Sequence, residues 1–289
     1  TSGARAKGPT TVILTSGTTR RPRPVRLTTG QLVFSAFGSA TRLGLDPSDV
    51  WLDCLPLHHV GGLSIPWRCA WAATTVELHP SFDPQAVAAR LDSGQVRLVS
   101  LTPSMLAAVL DARPDAPLPA AVRAVLLGGA AAPAPLLDRC RRLGLPVALT
   151  WGMTEAGSQI STRYPGDLSA DGGAGPPLPF ATVAADAAGA LTVRGPLVGG
   201  ALTTQDHGHV DARGRVQVAG RRDDVIVSGG VNLSPAEIEQ ALLAHPAVAD
   251  AGVVGAPDPR WGARPVAALV PAGAARPRWP SCRRGAGIG

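Results

Sequence analysis

Short apolar runs alternate with helical patterns from Val12 to about Thr150, and this alternation limits the folds open to the chain. The apolar runs predict strands at 12–15, 51–57, 74–78, 97–101, 122–127 and 147–151. The segments between them predict helices at 31–43, 84–91, 103–112 and 133–143, and the last three begin with proline. Strands that alternate with helices form a mainly parallel sheet covered on both faces. The sequence therefore predicts an α/β core.

After this core the residue pattern of the sequence changes twice. Short β-like pieces separated by glycine turns, over about 176–220, predict a small antiparallel β subdomain. A compact α+β unit then begins, and its helix has Ser234 as N-cap, Pro235 at the first position and Glu237 at the third. We expect a core domain over 1–220 that is incomplete at its N-terminus, a small mobile and incomplete domain over 221–274, and an unstructured Arg/Gly/Pro-rich tail over 275–289.

The net charge of +6 comes from the end of the chain. Six arginines and no acidic residue occur from Arg260 onward, and the remaining 21 basic residues balance 21 acidic ones. A neutral body with 4% aromatic residues offers few platforms for stacking on bases, so we expect no nucleic-acid partner. No run of about 18 uncharged apolar residues predicts a membrane span, and the start does not resemble a signal peptide. The four cysteines lack metal or disulfide spacing, which is typical of reduced thiols in the cytoplasm.

The stretch TSGTTRRPRPV, which follows the first predicted strand, has the composition of a phosphate-binding loop. Residues 15–19 offer consecutive backbone N–H groups and four hydroxyls, and arginines follow them. The stretch is not a GxxxxGK[ST] loop, because Lys7 is the only lysine of the chain. An ordinary polar turn is the alternative. Parallel sheets bind ligands at the carboxyl ends of their strands, and we expect this loop to lie at such an end.

Three further motifs follow predicted strands. LPLHHVGGL contains two histidines, LLGGAAAP contains a glycine-rich turn compatible with a flat ring lying on the backbone, and TWGMTEAGSQ places Glu155 beside Thr154. A carboxylate near a phosphate loop is a natural Mg²⁺ ligand. Taken singly, each motif has a structural alternative: a hydrogen-bonded loop histidine, a tight βα turn, and a solvated surface glutamate.

Together and in this order, the motifs resemble the adenylate-forming acyl-CoA synthetase superfamily. The similarity extends through QDHGHVD and GRRDDVIVSGGVNLSPAEIE, and it covers most of the chain from Val12 to about Val270. It implies that a carboxylate attacks the α-phosphate of ATP to form an acyl-adenylate, and that a thiol, usually of coenzyme A, then displaces AMP. Mg²⁺ is the implied metal. The stretches GSATRLGLDPSDVWLDCLPLHHVGGLSI and GMTEAGSQI are most similar to the o-succinylbenzoate–CoA ligases of menaquinone biosynthesis.

The resemblance also implies a role for particular residues. The residues implied to hold the β- and γ-phosphates are Thr15, Ser16, Gly17, Thr18 and Thr19. Gly129 and Ala130 match the turn beside the adenine, and Trp151 takes the place of an aromatic that stacks on it. Gly152 and Met153 are also implied to be cofactor-binding. Thr154 and Glu155 match the phosphate and magnesium positions, Asp206 the ribose-binding aspartate and Arg221 an arginine near it. The thiol step is implied to use a hinge at Asp223, a pantetheine tunnel at Gly229 and Gly230, and His59 between that tunnel and the acyl pocket.

The chain departs from the family pattern at several positions. Arg20 replaces the usual glycine after the phosphate loop, Pro24 removes a backbone donor, and Gln205 replaces the glycine before Asp206. The family's N-terminal portion and its C-terminal lysine are missing, so we expect a fragment or a decaying copy that adenylates poorly. Three alternative functions stay open: another aryl- or acyl-CoA ligase, a carrier-loading adenylation domain, and a non-catalytic nucleotide-binding remnant. Formation of a homodimer also stays open.

Overall fold

The structure is a computed structural model that describes residues 10–15, 23–169, 173–221, 224–245 and 247–272. The described residues fall into two compact units. The first contains those up to Ala132 and from Leu136 to Arg221, and the second contains residues 133–135 and those from Asp224 onward. The domain limits expected at residues 220 and 274 stay predictions, and residues 273–289 lie outside the described part of the chain.

The strands and helices of the first unit, in chain order, are β1 (Thr10–Thr15), β2 (Arg23–Thr28), α1 (Thr29–Leu43), β3 (Val50–Asp53), α2 (Val60–Ala72), β4 (Thr75–Leu78), α3 (Pro84–Asp92), β5 (Leu98–Leu101), α4 (Pro103–Asp111), β6 (Ala124–Leu127), α5 (Ala134–Arg142), β7 (Val147–Met153), β8 (Ser158–Thr162), β9 (Thr182–Ala185), β10 (Ala190–Gly195), β11 (Gly200–Val210) and β12 (Val216–Arg221). Short 3₁₀ turns lie at Thr154–Ala156 and Pro196–Val198.

The predicted parallel sheet is confirmed. Among the described residues it has six strands in the order β4-β3-β5-β6-β7-β8, in which only β8 runs antiparallel. Strands β5 and β6 are buried along their whole length, as their uninterrupted apolar character requires in a sheet covered on both sides.

Helices cover both faces of this sheet. Successive strand residues point to opposite sides, so each strand contributes side chains to both interfaces. One face packs against α3, α4 and α5 through a cluster that includes Leu52, Val99, Val125, Val147, Val87, Leu106 and Cys140. The other face packs against α1 and α2 through a cluster that includes Trp51, Leu98, Ala124, Ala148, Leu43, Ile65 and Cys69. The prediction of an α/β core with two covered faces is therefore confirmed.

The helix starts follow local capping chemistry. Asp83 and Thr102 accept backbone hydrogen bonds as N-caps of α3 and α4, each of which begins with proline. Thr28 and Gln31 form a capping box at the start of α1. The helices α3 and α4 thus begin at the residues expected from the sequence.

The position expected for the phosphate loop is wrong in one respect. Strand β1 does not belong to the parallel sheet but pairs antiparallel with β2 in a two-stranded hairpin. Its burial alternates, with Ile13 buried and Val12 and Leu14 exposed, as in a strand that covers the core with one face only. Thr15 is therefore at the end of a hairpin strand rather than at the carboxyl edge of the parallel sheet.

A second difference concerns the segment after β3. The strand expected over 51–57 ends at Asp53, and the unexpected helix α2 begins at Val60. Gly61, Gly62 and Pro66 obscure the helical pattern in the sequence. Gly62 has a structural reason, because an added Cβ would lie 2.6 Å from the carbonyl oxygen of Pro56.

The antiparallel subdomain is confirmed as a sheet in the order β12-β11-β10-β9 within the described residues. The second unit contains β13 (Ile226–Ser228), β14 (Val231–Leu233), α6 (Pro235–Leu243), β15 (Val248–Asp258) and β16 (Gly262–Pro271). Ser234 is the N-cap of α6 and accepts the backbone N–H of Glu237, as expected.

Two sequence expectations concern membrane spans and thiols. Over the described residues, no helix is both long and apolar enough to cross a membrane. Cys54, Cys69 and Cys140 are free and buried, and burial raises the pKa of the Cys54 thiol to about 12. Cys282 lies outside the described part of the chain.

We predict that Gly152→Ala lowers the free energy of unfolding by about 1–3 kcal/mol, measured by urea denaturation. Gly152 lies at a register shift between β7 and β8, and an added Cβ would overlap the carbonyl oxygen of Ser158. Gly30→Ala is the control, because its Cβ would meet nothing closer than the Thr28 hydroxyl at 3.8 Å and alanine favours helix α1. Equal stability of Gly152→Ala and the parent would contradict the prediction.

Candidate active site

Four parallel strands, β3, β5, β6 and β7, end at one edge of the sheet. The segments that leave this edge include the two histidines after β3, Thr102 after β5, the glycine turn after β6, and the Thr154–Ala156 turn after β7. Parallel sheets present their ligand-binding loops at this edge. Three of the motifs singled out in the sequence therefore lie along one edge.

The turn after β6 exposes its backbone. Gly129 has a φ of 85°, and both Gly129 and Ala130 are exposed. A Cβ on Gly128 would come 2.7 Å from the methyl group of Thr150, so the turn packs closely on β7. The result is a flat, open stretch of main chain next to the end of β7, which suits contact with a planar ring.

The end of strand β7 contacts the antiparallel subdomain. The indole N–H of Trp151 donates a hydrogen bond of 2.7 Å to Oδ2 of Asp206. Asp206 lies on β11 directly opposite Arg221 on β12. Trp151, Asp206 and Arg221 are thus brought together although they are distant in sequence.

The turn that carries Thr154 and Glu155 is held from behind by α1. Gln31 donates its amide N–H to the carbonyl oxygen of Glu155 at 3.4 Å, and the buried Ser35 hydroxyl donates to the carbonyl oxygen of Gly157 at 2.9 Å. Strand β2 also contacts the turn. Because α1 follows β2 directly, the hairpin and the turn are connected through one rigid helix.

Of the predicted phosphate loop, the structure describes Thr15, whose hydroxyl donates to the carbonyl oxygen of Arg23 at 3.1 Å. Ser16, Gly17, Thr18 and Thr19 lie outside the described residues, and so does Asp223. The arrangement of the loop and the hinge role of Asp223 stay predictions.

The residues predicted for the thiol step lie in both units. His59 is exposed at the N-cap position of α2, with its ring centroid 4.3 Å from that of His58. Gly229 and Gly230 form the turn between β13 and β14 with φ values of 58° and 83°, which glycine adopts without strain. A side chain on Gly229 would overlap the ring of Trp261, so this turn also requires glycine for space.

Sequence reasoning missed a buried charged pair next to the same edge. Arg68 on α2 is fully buried, and its guanidinium lies 5.3 Å from the centre of the Trp51 ring. Asp53 ends β3, and one of its oxygens accepts the N–H of Leu55. The Nε and Nη2 atoms of Arg68 and Oδ2 of Asp53 have no hydrogen-bond partner. The available signal was a single charged residue in the otherwise uncharged helix α2.

Burial changes the proton affinity of both groups. It raises the pKa of Asp53 to about 6, against a smaller opposing effect of the Leu55 N–H and Arg68. It lowers the pKa of Arg68 to about 10, so Arg68 stays charged at neutral pH. A buried cation with unfilled donors is a site for an anionic group.

Comparison with known proteins identifies the family. A family model described as AMP-binding enzyme matches residues 2–201, and one described as AMP-binding enzyme C-terminal domain matches residues 237–281. The chain belongs to the AMP-binding enzyme family. The resemblance drawn from the motifs is therefore confirmed at family level.

Several relatives of this chain share one name. Proteins named 2-succinylbenzoate–CoA ligase from Bacillus cytotoxicus and Bacillus cereus are 40% identical over 91% of this chain and 60% of their own length. The o-succinylbenzoate CoA synthetase of Bacillus subtilis, solved with its acyl-adenylate intermediate, has 38% identity and a TM-score of 0.84 over 93% of this chain and 60% of that one. The structure of the same Bacillus subtilis protein with ATP and magnesium has 39% identity and a TM-score of 0.82, and the match covers 90% of this chain and 60% of that one. The chain spans about 60% of the length of these relatives.

The residues at the end of β7 fit a magnesium ion shared with a substrate. The described residues contain no cluster of three or more His, Cys, Asp or Glu side chains that could hold a metal alone. Glu155 offers one carboxylate and Thr154 one hydroxyl, and both are partly accessible. Mg²⁺ typically takes one or two carboxylates and completes its octahedron with phosphate oxygens and water.

We predict that the parent loses stability relative to Asp53→Asn as the pH rises from about 4 to about 6. The free energy of unfolding of the variant minus that of the parent should increase over this range and level off above it. A carboxyl whose pKa is about 6 when folded and near 3.8 when unfolded adds stability below pH 4, and this stability is lost as the pH rises through 6. Urea denaturation of both proteins across this range measures the difference. A constant difference would show that the pKa of Asp53 is not raised.

Proposed function

We propose that this chain belongs to an enzyme that joins a carboxylic acid to the thiol of coenzyme A with ATP, through an acyl-adenylate, and that the acid is 2-succinylbenzoate. The observation that carries the proposal is the grouping at the end of β7, where the Thr154–Glu155 turn, Trp151 and Asp206 stand beside the open turn after β6. The names of the relatives support this choice of acid, and a complex of one of them contains the acyl-adenylate.

In the proposed first step, the substrate carboxylate attacks the α-phosphate of ATP and pyrophosphate leaves. Gly129 and Ala130 contact the adenine, Trp151 stacks on it, and Asp206 binds the ribose hydroxyls, with Arg221 opposite. Thr15 and the loop after it bind the β- and γ-phosphates. Thr154 and Glu155 hold Mg²⁺, which neutralises phosphate charge when it is bound.

In the proposed second step, the thiol of coenzyme A attacks the acyl carbonyl and AMP leaves. His59 lies at the exposed N-terminus of α2, which follows the strand that ends at Asp53. The turn at Gly229 and Gly230 lines the path of the pantetheine, and Asp223 acts as the hinge. These four assignments follow the family resemblance, and the glycine geometry supports the narrow turn they require.

Arg68 supports an acid with two carboxylates. When one carboxylate of 2-succinylbenzoate is activated, the other stays charged and must be accommodated. Arg68 is a buried cation whose Nε and Nη2 atoms have no hydrogen-bond partner among the described residues, and Asp53 at the end of β3 is near enough to act on its charge. A fatty acid has no group for such a cation and would leave it unpaired at a cost. We therefore assign Arg68 to the second carboxylate.

The place of the reaction and the assembly are also proposals. The free, buried thiols of Cys54, Cys69 and Cys140 support a reducing compartment, and we place the reaction in the cytoplasm. A homodimer stays a prediction.

The deciding experiment is mass spectrometry of the products formed by the full chain from ATP, Mg²⁺, coenzyme A and a panel of carboxylic acids. We expect 2-succinylbenzoyl-CoA and AMP with 2-succinylbenzoate, and little product with benzoate, succinate or a fatty acid. Acyl-CoA from another acid alone would contradict the substrate. Acyl-adenylate without thioester would favour a carrier-loading domain, and no product would favour a non-catalytic remnant.

We predict that Arg68→Met lowers kcat/KM for 2-succinylbenzoate by about 10-fold to 100-fold, since an ion-paired hydrogen bond to a desolvated carboxylate contributes about 1.5–3 kcal/mol. Arg68→Lys keeps the charge and should lose less. KM for ATP should change little in both variants, and thermal unfolding shows whether each is folded. Unchanged kcat/KM in a folded Arg68→Met protein would remove Arg68 from the acyl site.

A further inference from the structure

We propose that Trp151 is a positioning residue for the ribose: its indole N–H holds the carboxylate of Asp206 in the orientation that binds the two ribose hydroxyls. This inference deepens the proposed function and rests on it. Stacking on adenine requires only the aromatic ring of Trp151, whereas the proposed role requires its indole N–H.

The hydrogen bond joins two separate sheets. Trp151 belongs to β7 of the mainly parallel sheet, and Asp206 belongs to β11 of the antiparallel subdomain. The distance of 2.7 Å between Nε1 and Oδ2 is short for a nitrogen donor and typical of a bond to a charged acceptor. The register of β7 against β8 shifts between Trp151 and Gly152, which re-aims the Trp151 side chain at this point.

Both partners are held in place independently of each other. The Trp151 ring packs against a buried cluster of Ala156, Ile160, Val193 and Leu197. The backbone N–H of Asp206 donates to the hydroxyl of Thr204 at 3.1 Å, and that buried hydroxyl also donates to the carbonyl oxygen of Leu191. A fixed donor and a fixed backbone leave the Asp206 carboxylate little rotational freedom.

This restriction has a consequence for binding. An ionised carboxylate accepts up to about four hydrogen bonds, so a bond to indole is compatible with bonds to two hydroxyls. Binding is tighter when the acceptor is oriented before the ligand arrives, because less side-chain entropy is lost. The effect is specific to the ribose, since the adenine and phosphates do not contact this carboxylate in the proposed site.

The test compares ATP with 2′,3′-dideoxy-ATP, which lacks both hydroxyls, by calorimetry on the full chain. The parent should bind ATP about tenfold or more tightly than the dideoxy nucleotide, as expected for hydrogen bonds to a charged group. Trp151→Phe keeps an aromatic ring and removes the N–H. We expect it to reduce this preference about threefold to tenfold, with less than a twofold change for the dideoxy nucleotide.

Three variants separate the possible outcomes. Trp71→Phe, in which the ring is exposed and contacts Phe37, is the matched control and should keep the parent preference. Asp206→Asn should lose most of the preference, and adding Trp151→Phe to it should change the preference no further. Trp151→Leu, which also lacks a hydrogen-bond donor, replaces Trp151→Phe if circular dichroism shows that the latter is unfolded, and the ratio of the two affinities then remains the readout.

Equal weakening of both nucleotides by Trp151→Phe would reduce Trp151 to a stacking role and overturn the inference. If Asp206→Asn keeps the full preference for ATP, the ribose role of Asp206 fails, and with it this part of the proposed function. Absence of nucleotide binding by the parent chain would overturn both. Loss of the preference in Trp151→Phe and in Asp206→Asn, with Trp71→Phe unchanged, supports the inference.

Discussion

A parallel sheet buried on both faces is the constraint on which the other features depend. Because helices cover β3, β5, β6 and β7 on both sides, polar groups can reach solvent at the strand ends but not along the strands. The strands are parallel, so their carboxyl ends share one edge. The glycine turn, the Thr154–Glu155 turn and the Asp53–Arg68 pair are all at or next to that edge. The sheet thereby determines where chemistry can take place.

Two structural links extend this edge into a three-sided site. Helix α1 donates hydrogen bonds to the carbonyl oxygen of Glu155 through Gln31 and to that of Gly157 through Ser35. It follows directly on the hairpin that carries Thr15. Next to a register shift between β7 and β8, Trp151 donates its indole N–H to Asp206 of the antiparallel subdomain. A displacement of α1 would therefore alter the proposed phosphate contacts. Loss of the bond between Trp151 and Asp206 would alter the proposed ribose contact.

Arg68 and Asp53 carry an electrostatic cost that no hydrogen bond between described residues offsets. Burying an arginine with unfilled donors and a carboxylate with an unfilled oxygen is unfavourable unless a ligand or water completes the set. Such groups are common at functional sites, where stability is given up for binding. This cost is the physical argument for a second carboxylate in the substrate, and it is independent of the names of the relatives.

The alternation of apolar runs and helical patterns determined the α/β class, most strand positions, and the starts of α3, α4 and α6, because these depend on local burial and capping. The order of motifs also determined the family. Only the tertiary structure decided that β1 pairs with β2, because a six-residue strand does not reveal its partner. It also decided that α2 follows β3, against the local preference of Gly61, Gly62 and Pro66, since packing on the sheet outweighs propensity. The contact of Trp151 with Asp206, across 55 positions, arises from the meeting of two sheets, which no local pattern encodes.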